Sequence, residues 1–268
     1  MYDLEALETA LEATIYSGKL HFFPTTTSTN TAAMAAARVS APHGSVYFAD
    51  EQTAGRGRGD HRWESAPAAG LYLSVLLRIP LAAAQLSLLP LAAGLAAAQA
   101  IHTVTGLAID LRWPNDLMIG ERKAGGILVE STLDGHALAF AVIGIGINVH
   151  QRRFSTALAT PATSLDLACG RSISRQALLL ALLKSLEHEA QILCEDEAAR
   201  SLPARVEQHS TWLRGRRVEV HGPQACTGIS AGLDAHGFLR VETAHGMVTV
   251  QTGGIRAPEI NDSNAAGS

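Results

Sequence analysis

The sequence predicts an α/β chain: a mixed sheet with helices packed mostly on one face, followed by a small all-β module. Three observations carry this. Apolar strand runs meet around turn signals rather than alternating regularly with helices, as residues 126–131 and 137–147 do around Asp134-Gly135. Long helical runs lie between other strands, the clearest at 175–194 with leucines around much of its surface. From Arg216 the texture changes to short strands punctuated by glycine, which reads as a barrel.

Taken in order, Leu4, Leu7, Leu11 and Ile15 share one helical stripe that Gly18 ends. Residues 20–23 form a brief strand before Pro24. The hydroxyl run from Thr25 to Thr29 leads through Asn30 into a helix over 32–38, which those side chains are able to cap. A strand at 45–50 precedes a glycine- and arginine-rich loop at 52–62, and 71–79 reads as a buried strand. An alanine-rich helix at 81–101 follows, then a short strand at 109–112 closed by Trp113-Pro114-Asn115-Asp116. The hairpin around Asp134-Gly135 is expected to have a loop longer than two residues. Short strands at 218–220, 228–233, 238–242 and 247–251 complete the pattern, with a boundary near 213–216 and a loose tail from Pro258.

Composition narrows the function. The 268 residues suffice for one large domain plus a small one, and 47% hydrophobic against 17% charged residues supports a packed core. A net charge of −4 argues against a general nucleic-acid binder. The most apolar stretch, 81–101, is broken by Gln85, Ser87, Pro90, Gly94 and Gln99 and reads as a soluble helix, not a membrane span. The acidic start Met1-Tyr2-Asp3-Leu4-Glu5 shows no secretory signal. Three cysteines without C-x-x-C spacing argue against a disulfide framework or structural zinc, so a reducing cytoplasm is the default. Eleven histidines show no ligand spacing, so no metal site with protein-only ligands is expected.

Three segments carry candidate chemistry. In Gly55-Arg56-Gly57-Arg58-Gly59-Asp60-His61-Arg62-Trp63, glycines allow close backbone approach and arginines present planar forks to carboxylate or phosphate. That suits a mobile loop closing over an anion; alone, it reads equally as a solvated turn or an RNA-contacting tract. Arg112-Trp113-Pro114-Asn115-Asp116 followed by Lys123-Ala124-Gly125-Gly126-Ile127 is by default a turn and an exposed lysine before a strand. Its functional reading sets a point charge beside a tight glycine approach. Gly144-Ile145-Gly146-Ile147-Asn148 lacks the third glycine of a dinucleotide loop and ends a strand, which argues against a Rossmann site. Two strand glycines leaving room for a flat ligand fit it better.

These segments also fall in a particular order: Ser28-Thr29-Asn30, Gln52 ahead of Gly55-Arg56-Gly57-Arg58, Trp63, Trp113-Pro114-Asn115-Asp116, Lys123-Ala124-Gly125-Gly126-Ile127-Leu128, then Gly144-x-Gly146-x-Asn148. The array closely resembles the biotin–protein ligases, which attach biotin to a lysine of carrier proteins. The likeness runs over residues 20–257 and includes Gly228-Ile229-Ser230 through Gly237. It implies an N-terminal helix (1–19), a biotin- and ATP-binding catalytic domain of the biotin/lipoate ligase type (20–213), an SH3-like β-barrel (214–257) and a flexible tail (258–268). The implied reaction has two steps. Biotin and ATP, with Mg²⁺, give biotinyl-5'-adenylate; a lysine of biotin carboxyl carrier protein, such as the carrier subunit of acetyl-CoA carboxylase, then displaces AMP.

By the same resemblance, Lys123, Arg58 and Asp116 are the catalytic residues. Ser28, Thr29 and Gln52 meet the ureido ring of biotin, whose neutral polarity suits hydroxyls and an amide, with Asn30 beside them. Gly55, Arg56, Gly57, Arg58, Lys123, Gly126 and Gly144 complete the biotin site. Trp63 and Asn148 lie near the adenine, and Arg56, Arg58, Asn115 and Lys123 line the adenylate. Local alternatives stay open: Ser28, Thr29 or Asn30 as plain helix caps, Trp63 as a core tryptophan, Trp113 as packing for the turn. Asp116 is open between orienting Lys123 or Arg112, positioning the incoming lysine and closing the turn. An orienting role in a salt-bridged network is favoured, because an unpaired carboxylate would repel an adenylate.

Two departures from the family pattern stand out. Asp60 and His61 replace the usual glycine and basic residue, and Arg112 stands where lysine is most frequent. The competing enzyme reading is a lipoate or octanoate ligase or transferase of the same fold, whose arginine-led, glycine-rich histidine–aspartate segment is not found. The non-enzymatic one is a nucleic-acid-binding module around 55–62, which Asp50, Glu51, Asp60 and Glu64 oppose. A winged-helix domain needs roughly 60 residues, more than precede Leu20. The expectation is therefore the short form of the enzyme, without specific DNA binding and without a membrane partner; a homodimer is left open.

Overall fold

In the computed structural model, which describes residues 2–59 and 61–258, helix α1 (Leu4–Ala10) opens the chain, its first turn capped by the Asp3 carboxylate on the Ala6 N–H. Strand β1 (Leu20–Thr26), helix α2 (Thr29–Arg38) and strand β2 (Val46–Gln52) make a βαβ unit in which β1 and β2 are parallel. Strand β3 (Gly70–Leu77) precedes a 3-10 turn (Ala83–Leu88) and helix α3 (Leu89–Thr105). Strands β4 (Asp110–Arg112) and β5 (Asp116–Ile119) form a tight pair, and β6 (Arg122–Asp134) and β7 (Ala137–Asn148) a long hairpin. The seven strands order as β1-β2-β3-β7-β6-β5-β4.

Helices α4 (Leu165–Cys169), α5 (Arg175–Leu193) and α6 (Asp196–Gln208) lead into a second, antiparallel sheet. It comprises β8 (Arg214–His221), β9 (Cys226–Leu233), β10 (Leu239–Thr243), β11 (Gly246–Val250) and β12 (Gly254–Arg256), in the order β11-β10-β9-β8-β12.

Packing on the large sheet is lopsided. Helices α3 and α5 cover one face in a single apolar core, whereas α2 sits on the other, placing Ala33 and Ala37 against Tyr47, Leu76, Phe140 and Val142. Strand β3 is buried along its whole length because both faces are covered there, which explains its almost unbroken apolar sequence. Residues 83–105 are long and apolar enough to cross a membrane by length and composition; here most of α3 is buried within this core. One helix on the second face leaves the neighbouring part of β6 and β7 free to form a site.

Several elements differ from expectation. Helix α1 stops at Ala10 because its successors find other partners: the Thr14 hydroxyl bonds the Leu11 carbonyl, Glu187 takes the Ile15 N–H and Glu8 the Gly18 N–H. Strand β1 continues through Pro24, since at the sheet edge its missing N–H costs no ladder bond. The β6–β7 turn is two residues, Gly135-His136, with Gly135 at φ +59°. The parallel pairing of β1 with β2 was not anticipated, nor were α4, β5, α6 and β12. The second sheet carries register shifts at Arg214/Arg217 and Leu239/Val241 and is consistent with the expected SH3-like module, although among the described residues no ladder joins β11 to β12 to close it. Asp60, and the expected tail after Pro258, lie outside the described residues.

Candidate active site

The floor of the site follows from strand periodicity. Across β6 and β7, Gly126 pairs with Gly146 and Leu128 with Gly144, so the three glycines open the α2 side of the sheet. A Cβ on Gly144 would lie 2.0 Å from Asn30 Oδ1, and one on Gly146 2.6 Å from the Trp63 indole. A Cβ on Gly126 would touch Lys123 Cε and Trp63 at 3.4 Å. Backbone alone fits at Gly144 and Gly146, whereas a methyl at Gly126 would only touch its neighbours.

At one end of the floor lies a neutral polar cluster. Thr29 donates both its N–H and its hydroxyl to Gln52 Oε1, at 2.8 and 3.1 Å, and Gln52 Nε2 donates to Ser65 Oγ at 2.7 Å. Ser74 Oγ lies 2.8 Å from Thr29 Oγ1 and donates to Asn30 Oδ1 at 2.6 Å. Ser28, Thr29, Asn30 and Ser74 are all buried. Ser28 occupies the N-cap position of α2, yet its side chain makes no cap bond; Gln52 serves the first turn instead.

Above the floor, the arginine loop is a small closed hairpin: the Gly57 N–H donates to the His61 carbonyl at 2.8 Å and the Trp63 N–H to the Gly55 carbonyl at 3.0 Å. A Cβ on Gly55 would meet the Trp63 carbonyl oxygen at 2.3 Å, so glycine is required there. Arg56 Nη1 reaches both Glu130 oxygens, at 2.9 and 2.8 Å. Arg58 donates to the Gly253 carbonyl, between β11 and β12. Burial pulls the Arg58 guanidinium below its usual range while the Asp116 carboxylate opposes that shift; it stays a cation at neutral pH. Lys123 Nζ sits 5.6 Å from the centre of the Trp63 ring, and the indole N–H of Trp63 is buried without a partner among the described residues.

The charged end centres on Asp116. Its carboxylate accepts from Lys123 Nζ at 2.5 Å and from Arg112 Nη2 at 2.6 Å, and Arg112 also reaches Thr160 Oγ1 at 2.9 Å and lies over the Trp212 ring. Burial alone would push the Asp116 carboxyl up; the charges and hydrogen bonds of Lys123 and Arg112 outweigh it and hold the group below the ordinary carboxylate range. The backbone of Lys123 is pinned in turn, its N–H to Pro161 and its carbonyl to Thr163. Asn148 and Asn115 spend their amide nitrogens on backbone, donating to Thr163 at 3.0 Å and to Ile127 at 2.8 Å, so they brace the loops around Lys123. Trp113 is buried, its indole N–H on the Gly237 carbonyl.

Most of the residues singled out in the sequence meet on the α2 face of the sheet, whereas Trp113 packs into the core shared with α3 and α5, and Asn115 and Asn148 bond backbone beside Lys123. Four contributors were missed: Ser74, Glu130, Thr160 and Trp212. A lone serine inside the apolar β3, and a carboxylate two positions beyond Leu128 on the glycine face of β6, were readable signals for the first two. Among the described residues no three metal-ligating side chains converge, and Asp116 and Glu130 are committed to cations. A separate cavity of about 790 Å³, lined by Tyr2, His150 and the first turn of α5, contains none of these residues.

Fold and site together define a mixed-sheet α/β core with a glycine-floored, cation-lined face, and comparison with known proteins gives its family. Residues 22–148 match the profile of the Biotin/lipoate A/B protein ligase family. The biotin–[acetyl-CoA-carboxylase] ligase of Mycobacterium tuberculosis is 34% identical over 237 residues, covering 86% of this chain and 85% of that one. The chain belongs to this family. A biotin protein ligase from Aquifex aeolicus, solved in complex with biotin and ATP, superposes with a TM-score of 0.75 at 29% identity, covering 89% of this chain and 98% of that one. The bifunctional ligase/repressor BirA of Bacillus subtilis is 35% identical over 179 residues, 66% of this chain. This chain spans about half the length of the two Bacillus relatives, 50% and 55%.

Proposed function

We propose that the protein activates biotin with ATP to biotinyl-5'-adenylate and transfers the biotin to a lysine of a biotin carboxyl carrier protein, such as that of acetyl-CoA carboxylase. The observation that carries this reading is the three-glycine floor running from a neutral hydrogen-bonding cluster to a group of cations. An uncharged ureido ring suits Ser28, Thr29, Asn30 and Gln52, and a carboxylate with an adjoining phosphate suits Arg56, Arg58 and Lys123. Trp63 offers a ring for the adenine, and its unpartnered N–H supports an acceptor there. On this reading residues 20–213 hold biotin and ATP and residues 214–257 form a second unit.

In the first step a biotin carboxylate oxygen bonds to the α-phosphorus of ATP while the bond from that phosphorus to the bridging oxygen breaks, releasing pyrophosphate. Arg56, Arg58 and Lys123 supply the positive charge that the developing phosphate charge requires. In the second step the neutral amine of the acceptor lysine attacks the acyl carbon; an amide forms, AMP leaves with the anhydride oxygen, and the amine proton passes to solvent. Closure of residues 55–63 keeps water from the mixed anhydride. Magnesium, carried on ATP, would offset phosphate charge beside Arg56, Arg58 and Lys123.

The test is pyrophosphate release with magnesium–ATP and either biotin or lipoate. Biotin is expected to drive release, and Lys123→Ala to lower it by about 10²-fold. Release driven by lipoate alone, or near-normal rates in Lys123→Ala, contradicts the assignment.

A further inference from the structure

Glu130 is a carboxylate on the glycine face of the site that the two-step chemistry above does not use. Its Oε2 accepts from Asn30 Nδ2 at 2.9 Å, and both oxygens accept from Arg56 Nη1. It closes a continuous hydrogen-bonded chain: Gln52 to Thr29, Thr29 to Ser74, Ser74 to Asn30, Asn30 to Glu130, and Glu130 to Arg56. The neutral end of the site is thereby wired to the loop cation. We infer that Glu130 is a positioning residue, which fixes the Arg56 guanidinium over the glycine floor and ties it to the helix α2 residues at the neutral end. This rests on the proposed biotin-activating function for its catalytic consequence, though not for its structural one.

The contact geometry favours positioning over competition with substrate. Only Nη1 of Arg56 is engaged by Glu130, and among the described residues Nη2 and Nε have no recorded hydrogen-bond partner, so donors are left for an incoming anion. Glu130 itself is doubly anchored and three-quarters buried, whereas Arg56 is half exposed. A long cation in that exposed position would otherwise sample many rotamers, and the anchor removes that freedom before substrate arrives. Asp116 does the same for Lys123 at the opposite end of the floor.

Two readouts test this. Hydrogen exchange on the ligand-free protein reports the loop directly: Glu130→Gln and Arg56→Gln are each expected to speed exchange at the Gly57 and Trp63 amides about tenfold, with β6 and β7 amides still protected. In biotin-dependent pyrophosphate release, Glu130→Gln is expected to lower kcat/KM about tenfold in the wild-type background and less than about twofold in Arg56→Gln. Unchanged loop exchange, or equal effects in both backgrounds, overturns the inference. Should the wild-type protein release no pyrophosphate with biotin, the functional reading fails, while the exchange result still decides the role of Glu130.

Discussion

At the scale of single residues, three cations at the site, Arg56, Lys123 and Arg112, are already paired with carboxylates. Asp116 shows this most clearly: it is 15% exposed and shared between Lys123 and Arg112, whose side chain is 7% exposed. Removing one partner of a buried pair costs about 3 kcal/mol, and Asp116→Asn is expected to destabilise the protein by that order at neutral pH. Its carboxyl is held below the ordinary aspartate value of about 3.9, so its contribution is complete above that value and is lost as pH falls through the folded one. The gap between wild type and Asp116→Asn in urea midpoints is therefore flat from about pH 5 to 8 and narrows below about pH 4. A gap that widens in acid contradicts the pairing. Residue chemistry was legible in the sequence where a type announces itself, as with Arg56, Arg58 and Lys123. Glu130 was not, because its partner Asn30 lies 100 residues away and only the fold joins them.

At the scale of elements, the alternation of β6 and β7 produces the floor, and α2 lies directly over it. Gly144→Ala would drive a methyl into the Asn30 amide, which Ser74 and Glu130 hold on either side. Overpacking of this kind costs about 1–3 kcal/mol, and a lower melting temperature with biotin affinity down at least about tenfold is expected by calorimetry. Unchanged affinity would mean that Asn30 does not sit at the ligand. The hairpin itself was readable from Asp134-Gly135, and the buried β3 from its apolar run. Helix α1 was read too long, because Glu187 and Glu8 capture its would-be continuation through tertiary contacts that periodicity does not register. Helix α6 was missed for a local reason: it carries Pro203 and a mostly polar sequence, against the usual helix signals.

At the scale of the whole molecule, the two sheets are joined around the site. Trp113 bonds the Gly237 carbonyl, Ser87 bonds that of His236, Arg216 pairs with Glu121, and Arg58 carries the arginine loop onto Gly253. The second sheet thus holds the arginine loop through Arg58. Its texture was visible from Arg216 onward, but its open edge was not, since closure depends on strand bending rather than composition. Loss of the anchor in Arg58→Gly is expected to leave adenylate formation measurable while its retention falls about tenfold or more; unchanged retention would count against the anchor. The central claim meets its most direct test in one measurement, native mass spectrometry of the protein incubated with biotin, ATP and Mg²⁺. The account predicts a species heavier than the free chain by one biotinyl-5'-adenylate, absent when biotin or ATP is left out. A chain that stays unmodified under those conditions, or that carries an adenylate without biotin, would contradict it.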